Sequence, residues 1–172
     1  MVIQLGKNRW DILANLTNLN RYETIVEIGV NRGENAYNWL ERCPQVQKAY
    51  LIDLPTNNIF SPGDFEDRDV AHLIEYYEIG SEAAAKRLPN NLDIVFIDAD
   101  HGYEAVKKDI ELWLPKIGKG GIIAGHDYME IPQSRYGIKC GVKDAVDEMF
   151  TDFNLEQDVL EEGKIYIWWK YV

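Results

Sequence analysis

The sequence predicts an α/β fold: an open, doubly wound, mostly parallel sheet of seven strands, with helices on both faces and an antiparallel hairpin at its C-terminal end. Three observations carry this expectation. Short apolar runs, several rich in β-branched residues, alternate along the chain with amphipathic stretches of helical period. The apolar runs lack the in–out alternation of a half-exposed sheet, as strands covered on both faces require. The last two runs are separated only by Leu160–Lys164, too short for a parallel crossover, so they pair antiparallel.

Taken in order, Trp10, Leu13, Leu16 and Leu19 recur at helical spacing and predict an opening helix. Thr24–Ile28 is the first strand, ending at Gly29, and a helix from about Glu34 to Arg42 follows. Ala49–Ile52 is the second strand and stops at Asp53; Pro55, Asn57, Asn58, Pro62 and Gly63 then mark a loop. A helix around Val70–Ile74 and a third strand, Tyr76–Ile79, come next, with Ser81 placed to cap the Ala-rich helix after Gly80. Leu92–Ile97 is the strongest strand signal and ends at Asp98. Val106, Ile110, Trp113, Leu114 and Ile117 share one face of a helix lying on the sheet. Gly120-Gly121 turns the chain into Ile122–Ala124, which His126-Asp127 closes. Val142, Ala145, Val146 and Met149 mark a last helix, before strands Phe153–Val159 and Ile165–Tyr171. Strands and helices in this order form βαβ units with right-handed crossovers.

At 172 residues, 46% of them hydrophobic, the chain is expected to form one domain over 1–172. Its 18 Lys+Arg against 29 Asp+Glu leave a net charge of −11, which argues against nucleic acid and anionic membrane as partners and suits a cationic ligand. Lys7, Arg9 and Asp11 interrupt the first residues before an apolar run forms, which argues against a secretory signal. No stretch approaches the roughly 20 apolar residues of a membrane span. Cys43 and Cys140 fit no metal or redox spacing and are expected to be reduced thiols of a cytoplasmic protein.

In a doubly wound sheet the ligand sits outside the C-terminal strand ends, at the switch point beside the first strand. Val26-Glu-Ile-Gly-Val-Asn-Arg-Gly33 lies there. It lacks the dinucleotide fingerprint, because Asn31 stands where the second glycine would be. Glu27 and Glu34 flank it, an unsuitable cradle for a pyrophosphate but a suitable one for a sulfonium and an ammonium. The loop resembles the E-x-G-x-x-x-G loop of S-adenosylmethionine enzymes, and the sheet order resembles the Rossmann-like class I methyltransferases. That resemblance implies cofactor contacts from Glu27, Gly29, Asn31, Gly33 and Asp98, a ribose held by Asp53, and an adenine beside Ser81.

Phe96-Ile-Asp-Ala-Asp-His-Gly-Tyr-Glu-Ala-Val106 and Gly120-Gly-Ile-Ile-Ala-Gly-His-Asp-Tyr128 resemble the branch of metal-dependent small-molecule O-methyltransferases, from the catechol type to the macrolide-sugar type. The resemblance implies that Asp98 and Asp127 ligate Mg²⁺ or Mn²⁺ and that His101 is the general base for an acceptor hydroxyl. The chain departs from both types: His126 stands where the macrolide type has Glu, and Tyr128 where the catechol type has Asn. Either His126 completes a mixed nitrogen–oxygen site, or the metal is lost and His101 and His126 act as bases alone. The chemistry needs such groups, since a hydroxyl is a poor nucleophile until a metal or a base takes up its proton. Only about twenty residues precede the first strand, so a roof is expected from 55–64, from 129–141 (with Tyr128, Met129, Tyr136 and Ile138), or from a second subunit of a homodimer. The rival readings are a non-catalytic nucleoside-binding module and a nicotinamide-dependent oxidoreductase; Asn31 and the C-terminal hairpin speak against the latter.

Overall fold

The computed structural model describes residues 5–55, 69–130, 134–135, 138–161 and 163–172. Helix α1 (Arg9–Asn20) begins where the Asn8 side chain accepts the Asp11 N–H at 2.9 Å and ends where Arg21 turns left-handed at φ 57°. It buries Ile12, Leu13 and Leu16, whereas Leu19 faces solvent. Strand β1 (Thr24–Ile28) and helix α2 (Glu34–Glu41) follow, then β2 (Lys48–Asp53) and β3 (Ile74–Glu78). Helix α3 (Ser81–Arg87), β4 (Leu92–Ile97), α4 (Tyr103–Trp113) and the long β5 (Ile117–Met129) come next. A two-residue pair, β6 (Ser134–Arg135) and β7 (Ile138–Lys139), precedes α5 (Val142–Met149), β8 (Asn154–Asp158) and β9 (Ile165–Tyr171).

Seven strands form one sheet in the order β3-β2-β1-β4-β5-β9-β8, parallel from β3 through β5 and antiparallel across β9. Its alternate residues supply two cores. Ile25, Ile94, Phe96, Ile122, Ile167 and Trp169 face α1 and α2, against Leu13, Trp39 and Leu40. Val26, Val95, Ile97, Ile123 and Trp168 face α3, α4 and α5, against Ile110, Trp113 and Val146. Burial on both faces is why these strands read as unbroken apolar runs. Among the described residues no helix is long and apolar enough to cross a membrane. Both cysteines are free and buried.

Four local expectations change. Leu114 and Ile117, expected on the face of the helix with Trp113, lie beyond it: α4 stops at Trp113, Leu114-Pro115-Lys116 forms a 3₁₀ turn, and Ile117 begins β5 opposite Leu92. The helix predicted around Val70–Ile74 is only a 3₁₀ turn, Ala71–Leu73, because Ile74 is drawn into β3 opposite Ala49. Ser81 is the first residue of α3 rather than its cap; Gly80 holds the cap position. Gly120-Gly121 lies inside β5: pairing with β4 slips between Leu92↔Ile117 and Ile94↔Ile122, with Gly120 at φ 83°. β5 then runs on to Met129, because β9 gives Tyr128 and Met129 partners in Tyr166 and Ile165.

Candidate active site

The carboxyl ends of β3, β2, β1 and β4 open onto a cleft of about 900 Å³. Its floor is the loop after β1. Gly29 sits at φ 88°, and a Cβ there would lie 2.2 Å from the Asp98 carbonyl oxygen. The glycine is therefore required by the backbone of the neighbouring strand end, and not chiefly by the space a ligand would fill. Gly33, at φ 74°, holds the N-cap position of α2. Asp53, at the tip of β2, fastens the loop: one carboxylate oxygen accepts the N–H groups of Val30 at 2.9 Å and Asn31 at 2.7 Å, and the other accepts Leu54 N–H at 2.7 Å. Three of its four lone-pair positions are thus taken, and the one that remains, on the oxygen that accepts from Leu54, is open to a further donor.

Glu27 lies below the loop, 1% exposed, and lines the cleft. Its Oε1 accepts from the Asn35 side chain at 3.1 Å, while Oε2 is buried with no hydrogen-bond partner among the described residues. Burial, reinforced by Asp98, pushes its pKa up to about 8, against the pull of the Asn35 bond. An unsatisfied buried carboxylate oxygen at a cleft wall is a natural receptor for an ammonium group.

At the other end, Asp98 follows β4 and Asp127 sits in the bulge of β5. Between Gly125↔Trp168 and Tyr128↔Tyr166 the bulged strand carries one extra residue, and Asp127 takes the left-handed conformation at φ 55°. This turns the Asp127 carboxylate toward the loop after β4, where Oδ2 lies 3.1 Å from His101 Nδ1. Asp98, His101 and Asp127 each place one ligand-type atom within 4.8 Å of the others.

His126 is not in that group. Its ring is 2% exposed and lies among carboxylates: Nε2 is 3.4 Å from Asp158, and Nδ1 is 3.5 Å from Asp127 and 3.8 Å from Asp98. Burial opposes its charge, yet Asp98, Asp127 and Asp158 outweigh it and raise the pKa to about 10. The ring thus lies between Asp158 on one side and Asp98 and Asp127 on the other, outside the group that these last two form with His101.

Of the expected residues, Glu27, Gly29, Asn31, Asp53, Ser81 and Asp98 all line the cleft, as do His101 and Asp127. Gly33 and His126 do not. Tyr128 and Met129, expected as roof, turn into the core, with the Tyr128 hydroxyl donating to Asp147 at 2.9 Å. Residues 56–64 and Tyr136 lie outside the described residues, as does the side chain of Ile138. Sequence reasoning missed Arg9, Asp109 and Glu161, which also line the cleft. Arg9 reaches in from α1 to within 3.5 Å of Asp98 and 3.9 Å of Glu161. Asp109 did carry a signal: it is an acid on the face of α4 that also buries Val106, Ile110 and Trp113.

Residues 26–128, from the middle of β1 to the end of the bulge in β5, match the family described as methyltransferase domain. The chain belongs to this methyltransferase family. Its fold is shared by TomG, an O-methyltransferase of Streptomyces achromogenes involved in tomaymycin synthesis and solved with S-adenosylmethionine: TM-score 0.72 at 14% identity, over 94% of this chain and 78% of that one. A methyltransferase from Geobacter sulfurreducens gives a TM-score of 0.67 at 13% identity, over 98% of this chain and 82% of that one. An O-methyltransferase family protein from Burkholderia thailandensis gives 0.67 at 13%, over 94% of this chain but only 57% of that one. An uncharacterised protein of Acanthamoeba polyphaga mimivirus is 38% identical over 63 residues, and the match spans 36% of this chain and 28% of that protein.

Proposed function

We propose that this methyltransferase moves a methyl group from S-adenosylmethionine to a hydroxyl of a small-molecule acceptor, with His101 as general base. The observation that carries the reading is the pairing of His101 Nδ1 with Asp127 Oδ2 at 3.1 Å, at the cleft end away from Ser81. One ring nitrogen faces a buried carboxylate, which fixes the tautomer and leaves Nε2 to receive a proton from an acceptor. Asp127 then balances the charge the ring acquires. The rest of the cleft fits the cofactor: Asp53, with one acceptor position left, for a ribose hydroxyl, and the unpartnered Glu27 oxygen for the methionine ammonium. S-adenosylmethionine supplies a methyl already activated by its sulfonium, so the chain's own work is to hold the acceptor in line and take up its proton. The O-methyltransferase neighbours support oxygen as the acceptor atom.

The test is transfer of isotope-labelled methyl to a panel of phenolic and sugar hydroxyl compounds, with the methylated atom identified by mass spectrometry and NMR. For the best acceptor, His101→Ala lowers kcat by about a hundredfold or more and leaves cofactor affinity within about twofold. A variant that keeps its rate removes His101 from the mechanism.

A second reading rests on the 4.8 Å grouping of Asp98, His101 and Asp127, a mixed donor set that suits Mn²⁺ better than Mg²⁺. An ion held there would lower the pKa of an acceptor hydroxyl and orient it. The Arg9 guanidinium, 3.5 Å from Asp98, weakens the attraction such an ion would feel. The readings separate by melting temperature. If the metal reading holds, millimolar Mn²⁺ stabilises the chelator-treated protein and His101→Ala abolishes the effect; the base reading predicts no shift in either protein.

A further inference from the structure

The reactive end of the cleft contains a cation that the proposed methyl transfer does not use. The Arg9 backbone N–H donates to Asp158 Oδ2 at 3.2 Å, at the end of β8, while the Arg9 guanidinium reaches Asp98, which follows β4. In the sheet β5 and β9 lie between those two strands, so the Arg9 side chain crosses their tips. That is the half of the cleft with His101 and Asp127, away from Asp53 on β2. The side chain is 23% exposed and poorly bonded. Nη1 lies 3.5 Å from Asp98 Oδ2 and 3.9 Å from Glu161 Oε1, both longer than the about 2.7–2.9 Å of a charge-assisted hydrogen bond. Nε is buried with no hydrogen-bond partner, so among the described residues the contact with Asp98 is the one bond this many-donor group makes. A charge withdrawn from water and left this loosely paired is costly unless a ligand binds it. Among the described residues the other arginine or lysine lining the cleft is Arg32, in the loop after β1, so Arg9 alone brings positive charge to the reactive end.

We infer that Arg9 binds a carboxylate of the acceptor, so that the substrate is a hydroxy acid whose hydroxyl faces His101 while its carboxylate lies against the guanidinium. The inference rests on the proposed transfer to a hydroxyl and deepens it by naming the acceptor class. A guanidinium presents a planar fork of N–H donors that matches the two oxygens of a carboxylate. A carboxylate suits the place better than a phosphate monoester, because Asp98 and Glu161 stand beside Arg9 and repel a dianion more than a monoanion. The methyl ester of the same acid keeps its shape and loses its charge. A site built to bond a polar group rejects such an analogue strongly, since its own donors are then left unpaired.

The test pairs hydroxybenzoates and uronic acids with their methyl esters. Each is offered as acceptor for isotope-labelled methyl from S-adenosylmethionine, and each is titrated calorimetrically into protein saturated with S-adenosylhomocysteine, whose own carboxylate is then already in place. Wild type is expected to favour at least one acid over its ester by about tenfold or more, in kcat/KM and in affinity, with the methyl found on the hydroxyl oxygen. Arg9→Gln removes the charge, so that advantage should fall below about twofold, mainly through KM. Arg9→Lys keeps the charge without the fork; it should retain part of the preference and provides the answer if Arg9→Gln does not fold. Equal use of acid and ester by wild type, binding of neither member of any pair, methyl on the carboxylate, or an acid preference unchanged in both variants overturns the inference. So does a tenfold loss of S-adenosylhomocysteine affinity in Arg9→Gln with the acid-to-ester ratio unchanged, which assigns the guanidinium to the cofactor's carboxylate. If wild type binds no S-adenosylhomocysteine, the cofactor reading falls and this inference with it.

Discussion

Glu27 shows how one side chain couples ligand binding to stability. Its pKa is raised from an ordinary carboxylate value to about 8, chiefly by burial. A folded-state pKa above the unfolded one means the native chain binds the proton more tightly, so the stability this provides is full below the unfolded pKa of about 4.3 and is lost as pH rises toward 8. At about 1.36 kcal/mol per pK unit the loss amounts to a few kcal/mol, and a cationic ligand offsets it by pairing with the ionised group. Glu27→Gln keeps an oxygen for the Asn35 bond and removes the charge. It should therefore raise the melting temperature at pH 8 but hardly at pH 4.5, while weakening S-adenosylhomocysteine binding by about tenfold or more. A melting-temperature gain of equal size at both pH values would show that the ionised Glu27 is not the strained group. The position of Glu27 was legible in the sequence, since it is the last residue but one of a strand that stops at a glycine. Its unpartnered oxygen was not, because that depends on which side chains the fold brings near.

Strand β5 is the element that builds the reactive end of the cleft. It has two irregularities, one at Gly120-Gly121 and one at His126-Asp127, and only the strand between them was visible in the apolar pattern. Glycine pairs and polar residues read as turns because local propensity says nothing of the partner strand; here β9 continues the ladder past them. The same element passes close to a large ring: a Cβ on Gly125 would lie 2.5 Å from the Trp168 indole, which is fully buried. Gly125→Ala should then cost about 1–3 kcal/mol by overpacking and lower the melting temperature by several degrees. Combining it with Trp168→Leu makes room for the methyl, so the double variant should be more stable than the sum of the two single losses allows. Strict additivity would show that the indole yields freely, and that the glycine serves some other purpose.

At the scale of the molecule, chain direction and sheet order place the chemistry. Five parallel strands end on one side, and the tips of β1, β2 and β4 present Gly29, Asp53 and Asp98 together. This much was legible, because strand-end residues follow apolar runs directly. Arg9 and Asp158 were not, since they meet their partners across distances no local pattern spans: Arg9 is 89 residues from Asp98, and Asp158 joins His126 from β8. The assembled cleft is acidic, with Glu27, Glu34, Asp53, Asp98, Asp100, Asp109, Asp127 and Glu161 against Arg9 and Arg32, in a chain of net charge −11. Such a cleft favours a ligand with a sulfonium and an ammonium over one with a pyrophosphate, and the preference should weaken as salt screens it. The most direct measurement is calorimetric titration of the purified chain with S-adenosylmethionine and with NAD, at low and at high ionic strength. The account predicts one S-adenosylmethionine bound per chain, more weakly at high salt, and no measurable binding of NAD. Tighter binding of NAD, or no heat from S-adenosylmethionine at either salt concentration, would contradict it.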